Sequence, residues 1–198
     1  MTTATKAQPI APDFFEHDAE TVARALIGAT LLVGGVGGSI VETEAYDAQD
    51  PASHSFRGET RRNTVMFGPP GHAYVYRIYG LHWCLNMTCG VRGSAVLIRA
   101  LEPTTGLRAM SSRRGTRALR TLCSGPGRLC HALGVEGSLN GASLFEPPFQ
   151  LSMTKAPPTL LMGKRIGISV AVDTAWRFGL KGSRYLSRPF ADIPEPDP

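Results

Sequence analysis

The stretch "IVETEAY", residues 40–46, constrains this chain more than any other. Its alternation in a β-prone run predicts a strand, with Ile40, Glu42, Glu44 and Tyr46 on one face and Val41, Thr43 and Ala45 on the other. Two carboxylates on one face of such a strand need partners, because a buried unpaired charge is costly. A sheet that accepts this strand must supply cations, water or a ligand on that face.

Other segments read as its neighbours. "AYVYRI" puts Tyr74, Tyr76 and Ile78 on one face and Val75 and Arg77 on the other, followed by Tyr79 at a turn tip. Gly80 permits a tight reversal and "HWCLNMT" returns, which makes a hairpin. "SAVLIRALEP" reads as a strand ending at Pro103, and "KRIGISVAV" as a further one. "GGVGG" turns a strand at residues 31–33 into the one bearing Glu44. Before it, Asp18 can N-cap a helix whose stripe is Ala19, Val22, Ala23 and Leu26, ended by Gly28. The arginine-rich stretch up to Leu133 reads as helix broken at "SGPG", and residues 134–160 are turn-rich. The sum is an α+β fold, one mixed domain over residues 13–188 built on an antiparallel sheet. Residues 1–12 read as a disordered lead and residues 189–198 as a disordered, proline-rich tail.

Composition removes several classes. A chain of 198 residues suits one domain with a real core. It has no apolar run approaching a membrane span, and its N-terminus lacks the basic-then-apolar order of a signal peptide, so a cytoplasmic, membrane-free protein is expected. Cys84, Cys89, Cys123 and Cys130 match neither a CxxC pair nor a metal knuckle, and buried free thiols are the expectation. "GPPG" lacks the following Lys-Ser/Thr of a phosphate loop, and His82 with Cys84 has no third ligand placed. Neither a metal nor a cofactor is expected. The net charge of +5 is modest, but arginine outnumbers lysine 17 to 4. No acid interrupts residues 103–135, where Arg108, Arg113, Arg114, Arg117, Arg120 and Arg128 fall. Guanidinium forks match phosphate oxygens, so this bias favours a phosphate-rich partner, with a solvated helix face as the alternative.

Three strands contribute unusual polar groups: Glu44, Asn86 and Arg99. A buried acid beside an arginine can stay ionised and take a proton from water; the alternative is a bridge tying two strands. Tyr46, His54 and Tyr76 could line a slot for a planar ring. The competing assignments are a core tyrosine for Tyr76 and a loop histidine for His54. An aromatic at a hairpin tip, Tyr79, buries little in its own fold and is available to insert into something else.

"IVETEAY" with the following His54, "RRNTVMFGPPGHAYVYRIYGLHWCLN", "VLIRALEP", "LCSGPGRLCHALGV" and "RIGISVAV" resemble, in this order, the alkyladenine (3-methyladenine) DNA glycosylase family of the human type. The resemblance covers roughly residues 13–188. It implies a curved antiparallel sheet with surrounding helices and a protruding β-hairpin, similar to the formyltransferase C-terminal-domain-like fold. It also implies a partner, double-stranded DNA containing a damaged purine, and an enzyme that flips that nucleotide out of the duplex. In that family's pattern Glu44 is the base that activates water and Arg99 helps hold both. Tyr46 stacks on one face of the base, His54 and Tyr76 on the other, and Asn86 crowds the 2-amino group of guanine. Tyr79 fills the gap in the duplex, and a main-chain carbonyl near Ile166 touches the water. Leu81 and His82 flank Tyr79 at the groove, His82 standing where the human form has tyrosine; Thr60, Arg113, Arg114 and Arg128 are further candidates for DNA-backbone contacts, in a chain whose helix around Arg108–Arg120 departs from the family in spacing and composition. Glu42 has no catalytic role in this pattern and is expected to make a structural bond.

The implied lesions are 3-methyladenine and 7-methylguanine, with hypoxanthine and ethenoadenine, which need proton donation and a tighter fit. A glycosylase that also cuts the strand usually needs an amine nucleophile. Lys6, Lys155, Lys164 and Lys181 all fall outside the pocket motifs, so a monofunctional enzyme leaving an abasic site is expected. A monomer is the default. Two other functions share some of these features: a non-catalytic nucleic-acid module of the same fold, and a hydrolase of free nucleosides. The first gives Glu44 and Arg99 no purpose; the second gives none to the arginines or Tyr79.

Overall fold

The computed structural model describes residues 8–153 and 158–190. Nine strands form one antiparallel sheet: β1 (Gln8–Pro9), β2 (Thr30–Val33), β3 (Val36–Tyr46), β4 (Ala73–Ile78), β5 (His82–Thr88), β6 (Ala95–Thr105), β7 (Phe149–Met153), β8 (Leu160–Gly163) and β9 (Arg177–Leu180). Four α-helices accompany them: α1 (Ala19–Ala25), α2 (Leu107–Arg114), α3 (Leu119–Leu122) and α4 (Pro126–Leu133). The main path runs β1-β7-β2-β3-β6-β5-β4, and β9 joins β3 with β8 beyond it. This is the expected mixed α+β domain with its antiparallel sheet and β4–β5 hairpin.

The central strand is β3. It pairs with β6 along most of its length, with β2 in its first half, and with β9 at Glu42, Thr43 and Glu44. One face of the sheet carries the main core, where Phe15, Val22 and Leu26 meet Ile98, Leu101 and the α4 residues Leu129 and Leu133. As expected, Asp18 caps α1 by accepting the Thr21 N–H at 2.9 Å. The Thr43 hydroxyl donates to the Ala23 carbonyl at 2.9 Å, which fixes α1 on this face.

Ile40 does not share a face with Glu42. Ile40 pairs with Leu101 and Glu42 with Ala100, which leaves Val41 as an extra residue, a β-bulge. The bulge returns Ile40 to the main core with Ala45 and sends Val41 to a small cluster with Ala100 and Tyr185. A second irregularity follows at once: Thr43 pairs with Ile98, so Arg99 is the extra residue on β6. Two bulges facing each other thus aim Glu42, Glu44 and Arg99 toward the same side.

Other expectations need correction. Residues 164–172 form no strand: β8 ends at Gly163, and the chain then loops to β9. Gly167 (φ 81°) and Ala171 (φ 50°) bend this stretch out of a ladder, and its backbone serves other partners. Within residues 134–160, β7 is a genuine inner strand between β1 and β2. The strand expected to end at Pro103 runs to Thr105. The arginine-rich stretch also breaks at Gly115 (φ 63°), so it makes three helices. Gln8 and Pro9 of the expected lead pair with β7, while residues 1–7 lie outside the described residues. Phe190, in the expected tail, packs its ring under the Arg177 guanidinium at 3.9 Å; residues 191–198 lie outside the described ones. All four cysteines are buried and free, as expected. No described helix is long and apolar enough to cross a membrane.

Candidate active site

Glu42 and Glu44 have no accessible surface. Glu42 accepts four hydrogen bonds: Oε1 accepts from Arg99 Nε (3.0 Å), Arg177 Nε (2.8 Å) and the Ser187 hydroxyl (2.7 Å), and Oε2 accepts the Ser187 N–H (2.5 Å). It is a bolt between β3, β6, β9 and the chain after β9, in line with the structural role expected. Glu44 is held differently. Its Oε2 accepts from the Tyr46 hydroxyl at 2.8 Å and Arg99 Nη1 at 3.1 Å, and its Oε1 accepts the Ile166 N–H alone at 2.7 Å. A carboxylate oxygen has two lone-pair positions, so Oε1 keeps one. Burial raises the Glu44 pKa from 4.5, against the lowering effects of Arg99, the Ile166 amide and the Tyr46 hydroxyl. Arg99 stays charged, since both glutamates outweigh its own burial.

The Glu44 partners Tyr46, Arg99 and Ile166 line a cavity of about 560 Å³ together with His54, Tyr74, Tyr76 and Asn86, and Glu44 itself lies behind them. That volume suits a small organic ligand. The walls are aromatic. Tyr74 and Tyr76 stack with centroids 5.4 Å apart, and the His54 ring meets Tyr76 edge-on at 4.5 Å. His54 Nδ1 and the Tyr74 hydroxyl are 3.0 Å apart. Packing against these rings and the nearby Arg62 charge lower the His54 pKa, which favours a neutral imidazole. Burial raises the Tyr46 and Tyr76 hydroxyls, so both stay protonated. Asn86 donates from Nδ2 to the Tyr74 carbonyl at 3.1 Å and shows its remaining edge to the cavity. The structure therefore brings Glu44, Arg99, Tyr46, His54, Tyr76, Asn86 and Ile166 together.

Tyr79 stands at the tip of the β4–β5 hairpin, 83% exposed, with Leu81 72% exposed beside it. Tyr79 is also in a left-handed conformation (φ 51°), which costs a non-glycine residue about 1–2 kcal/mol. Tyr79 and Ile78 reach the rim of the cavity. His82 lies against Gly127 in the first turn of α4, where a Cβ would come within 2.9 Å of the His82 Cβ. Pro126 lines the cavity from the same turn, and Arg128 is exposed next to it. Thr60 is exposed and bonds Asn63 through its N–H and hydroxyl. Arg113 and Arg114 sit farther back. Arg113 donates to the Ala132 carbonyl at 2.9 Å and Arg114 to the Leu122 carbonyl at 3.2 Å, so both bind the ends of neighbouring helices.

Four further residues belong to the site without standing out in the sequence: Asp50 and Arg165, a buried pair behind Tyr46, and Tyr74 and Arg62 in the cavity wall. Tyr74 was open to detection, since it shares the face of Tyr76 by alternation. The Asp50–Arg165 pair was not, because nothing local links residues 115 positions apart.

An aromatic-walled cavity backed by a buried, ion-paired carboxylate is an arrangement suited to an enzyme site. The methylpurine-DNA glycosylase family matches residues 13–184, and the chain belongs to that family. Among its relatives, a protein of Nitrosospira multiformis is 61% identical over 178 residues, 89% of this chain and 92% of the relative. Proteins of Agrobacterium fabrum (58% over 184 residues, 93% of each chain) and Rhodopseudomonas palustris strain HaA2 (57% over 184 residues, 92% of each) are close in likeness. All three carry the name "Putative 3-methyladenine DNA glycosylase".

Proposed function

We propose that this DNA glycosylase flips an alkylated or deaminated purine nucleotide out of duplex DNA and hydrolyses its N-glycosidic bond with a water activated by Glu44, leaving an abasic site. The observation that carries the reading is the Glu44 carboxylate, held at 2.7 Å by the Ile166 amide behind an aromatic-walled cavity of about 560 Å³. The free lone pair of Oε1 is the place for the water: Glu44 takes its proton as the oxygen attacks C1′, and the purine leaves with the bonding electrons. Burial that raises the Glu44 pKa makes it a stronger base than an ordinary carboxylate.

Tyr46 on one side and His54 with Tyr76 on the other would stack on the extruded base, and a neutral His54 suits both neutral and cationic purines. Asn86 would crowd the 2-amino group of guanine. 3-Methyladenine, already positively charged, departs most easily; hypoxanthine and ethenoadenine need a closer fit. Tyr79 would fill the gap in the duplex, with Leu81, His82, Thr60 and Arg128 beside the backbone. Lys164 and Lys181 do not line the cavity, which supports hydrolysis over a Schiff-base route.

The test is incubation with duplexes carrying 3-methyladenine, hypoxanthine, ethenoadenine or normal bases only, with chelator present and alkali to reveal abasic sites. Alkali-dependent breaks at lesions, lost in Glu44→Gln, are expected. Duplex binding without any base release would turn the reading toward a binding module.

A further inference from the structure

The loop between β8 and β9 supplies the Ile166 amide, yet no ladder holds it in place. What holds it is the side chain before Ile166. The Arg165 side chain has no exposed surface, and the Asp50 carboxylate facing it is 3% exposed. Arg165 Nη2 donates to Asp50 Oδ1 at 3.0 Å, while Nη1 donates to Asp50 Oδ2 and, at 3.0 Å, to the Ala45 carbonyl. The guanidinium also lies 4.7 Å from the Tyr46 ring centroid and 5.6 Å from that of Trp176.

These contacts converge on one carboxylate. The peptide bond between Arg165 and Ile166 carries the N–H that Glu44 accepts. The Ala45 carbonyl lies on β3 between Glu44 and Tyr46. The Tyr46 ring, resting on the guanidinium, carries the hydroxyl that Glu44 also accepts. Asp50, four residues past the end of this strand, fixes the guanidinium from the other side. A buried ion pair is a poor device for stability alone, because an apolar pair of similar volume often serves as well or better.

Resting on the reading of Glu44 as the base, we propose that Asp50 and Arg165 are positioning residues for the reaction: they set the Ile166 amide and the Tyr46 hydroxyl against Glu44 and so aim its free oxygen lone pair at the water. The groups that face Glu44 are Arg99 from β6, Cys84 from β5, Tyr76 from β4, Glu42 and Tyr46 from its own strand, and Ile166 with Arg165 from the loop. The Ile166 and Tyr46 bonds stabilise the ionised form. Loosening them therefore lets the Glu44 pKa climb further, while Arg99 stays in place.

The experiment is single-turnover release of hypoxanthine from a duplex as a function of pH, with duplex affinity measured alongside. Asp50→Asn and Arg165→Lys should lower the plateau rate by roughly tenfold or more and move the acid limb upward by about one pH unit. Affinity should change by less than about threefold, as for an interaction felt at the reacting centre. Lys164→Ala, which breaks only the exposed clip to Asp173, should leave the profile where it was. An Asp50→Asn profile that superimposes on the wild type, beside an inactive Glu44→Gln, would overturn this proposal alone and leave a plain structural bridge. Release that persists in Glu44→Gln would sink the base assignment and this proposal with it. If Asp50→Asn fails to fold, Arg165→Lys, which keeps the charge and most of the volume, is read in its place by the same criteria.

Discussion

Arg99 reaches Glu44 with one nitrogen, Nη1 at 3.1 Å, while its Nε is committed to Glu42 at 3.0 Å. One guanidinium shared by two carboxylates neutralises neither fully, and burial then wins at Glu44, whose pKa is raised. A protonated Glu44 cannot accept a proton from water, so excision of a neutral lesion should fall as pH drops through that raised pKa. Arg99 is the largest opposing influence. Arg99→Gln should therefore carry the acid limb to higher pH and lower the plateau. Rate–pH profiles on a hypoxanthine duplex check this; an unmoved limb would show that Arg99 does not govern the ionisation.

The same pKa shift makes a statement about stability. A carboxyl whose pKa is raised by folding favours the fold below its unfolded pKa, and that contribution is lost as pH rises through its folded pKa. At pH 8 the ionised Glu44 thus weighs against the fold. Glu44→Gln should abolish excision yet keep Tm at pH 8 equal to the wild type or a few degrees above it, since about 1 kcal/mol corresponds to ~2–4 °C at this chain length. The difference should close near pH 4. Calorimetry at both pH values decides, and a large fall in Tm at pH 8 would show that its charge stabilises the fold.

Glu42 is expected to behave in the opposite way. It accepts from two arginines and from Ser187, and of these Arg99 alone also binds a second acid, Glu44. Glu42→Leu would leave Arg177 and the Ser187 amide without their partner, a loss of about 3–5 kcal/mol. Denaturant unfolding should show that loss, while the folded fraction retains lesion-dependent excision. A stable but inactive variant would move Glu42 into the chemistry.

The polar face of β3 and the hairpin bearing Tyr79 were legible because both are local patterns: alternation over a few residues, and a glycine at a reversal. Where the reading failed, the cause was not local. Ile40 changes face because Val41 is squeezed out opposite Ala100, a pairing detail that the strand's own sequence does not carry. Residues 164–172 look like a strand by composition. The Ile166 amide answers instead to Glu44, the Arg165 side chain to Asp50, and the chain bends at Gly167. β7 was hidden among turn residues, and its place beside β2 is set by the sheet rather than by its own alternation. The resemblance carried the site residues; it said nothing of Arg165, which touches the pocket only through Tyr46 and Ile166.

Tyr79 is exposed at the tip of the β4–β5 hairpin. Its side chain is 83% exposed and its backbone is held at φ 51°, a conformation that glycine adopts without strain. A residue that contributes little to its own fold and carries strain there is a candidate for a role in binding. Tyr79→Gly should therefore leave Tm unchanged or slightly raised while lesion-duplex affinity and excision both fall, by roughly tenfold or more if an aromatic contact of ~1–3 kcal/mol is lost. Tyr79→Trp, which restores a flat ring, should recover most of the affinity. Release of a base from a short single strand has no gap to fill, so it should be nearly indifferent to either change. Equal losses on single and double strands would mean that Tyr79 shapes the pocket rim rather than the duplex.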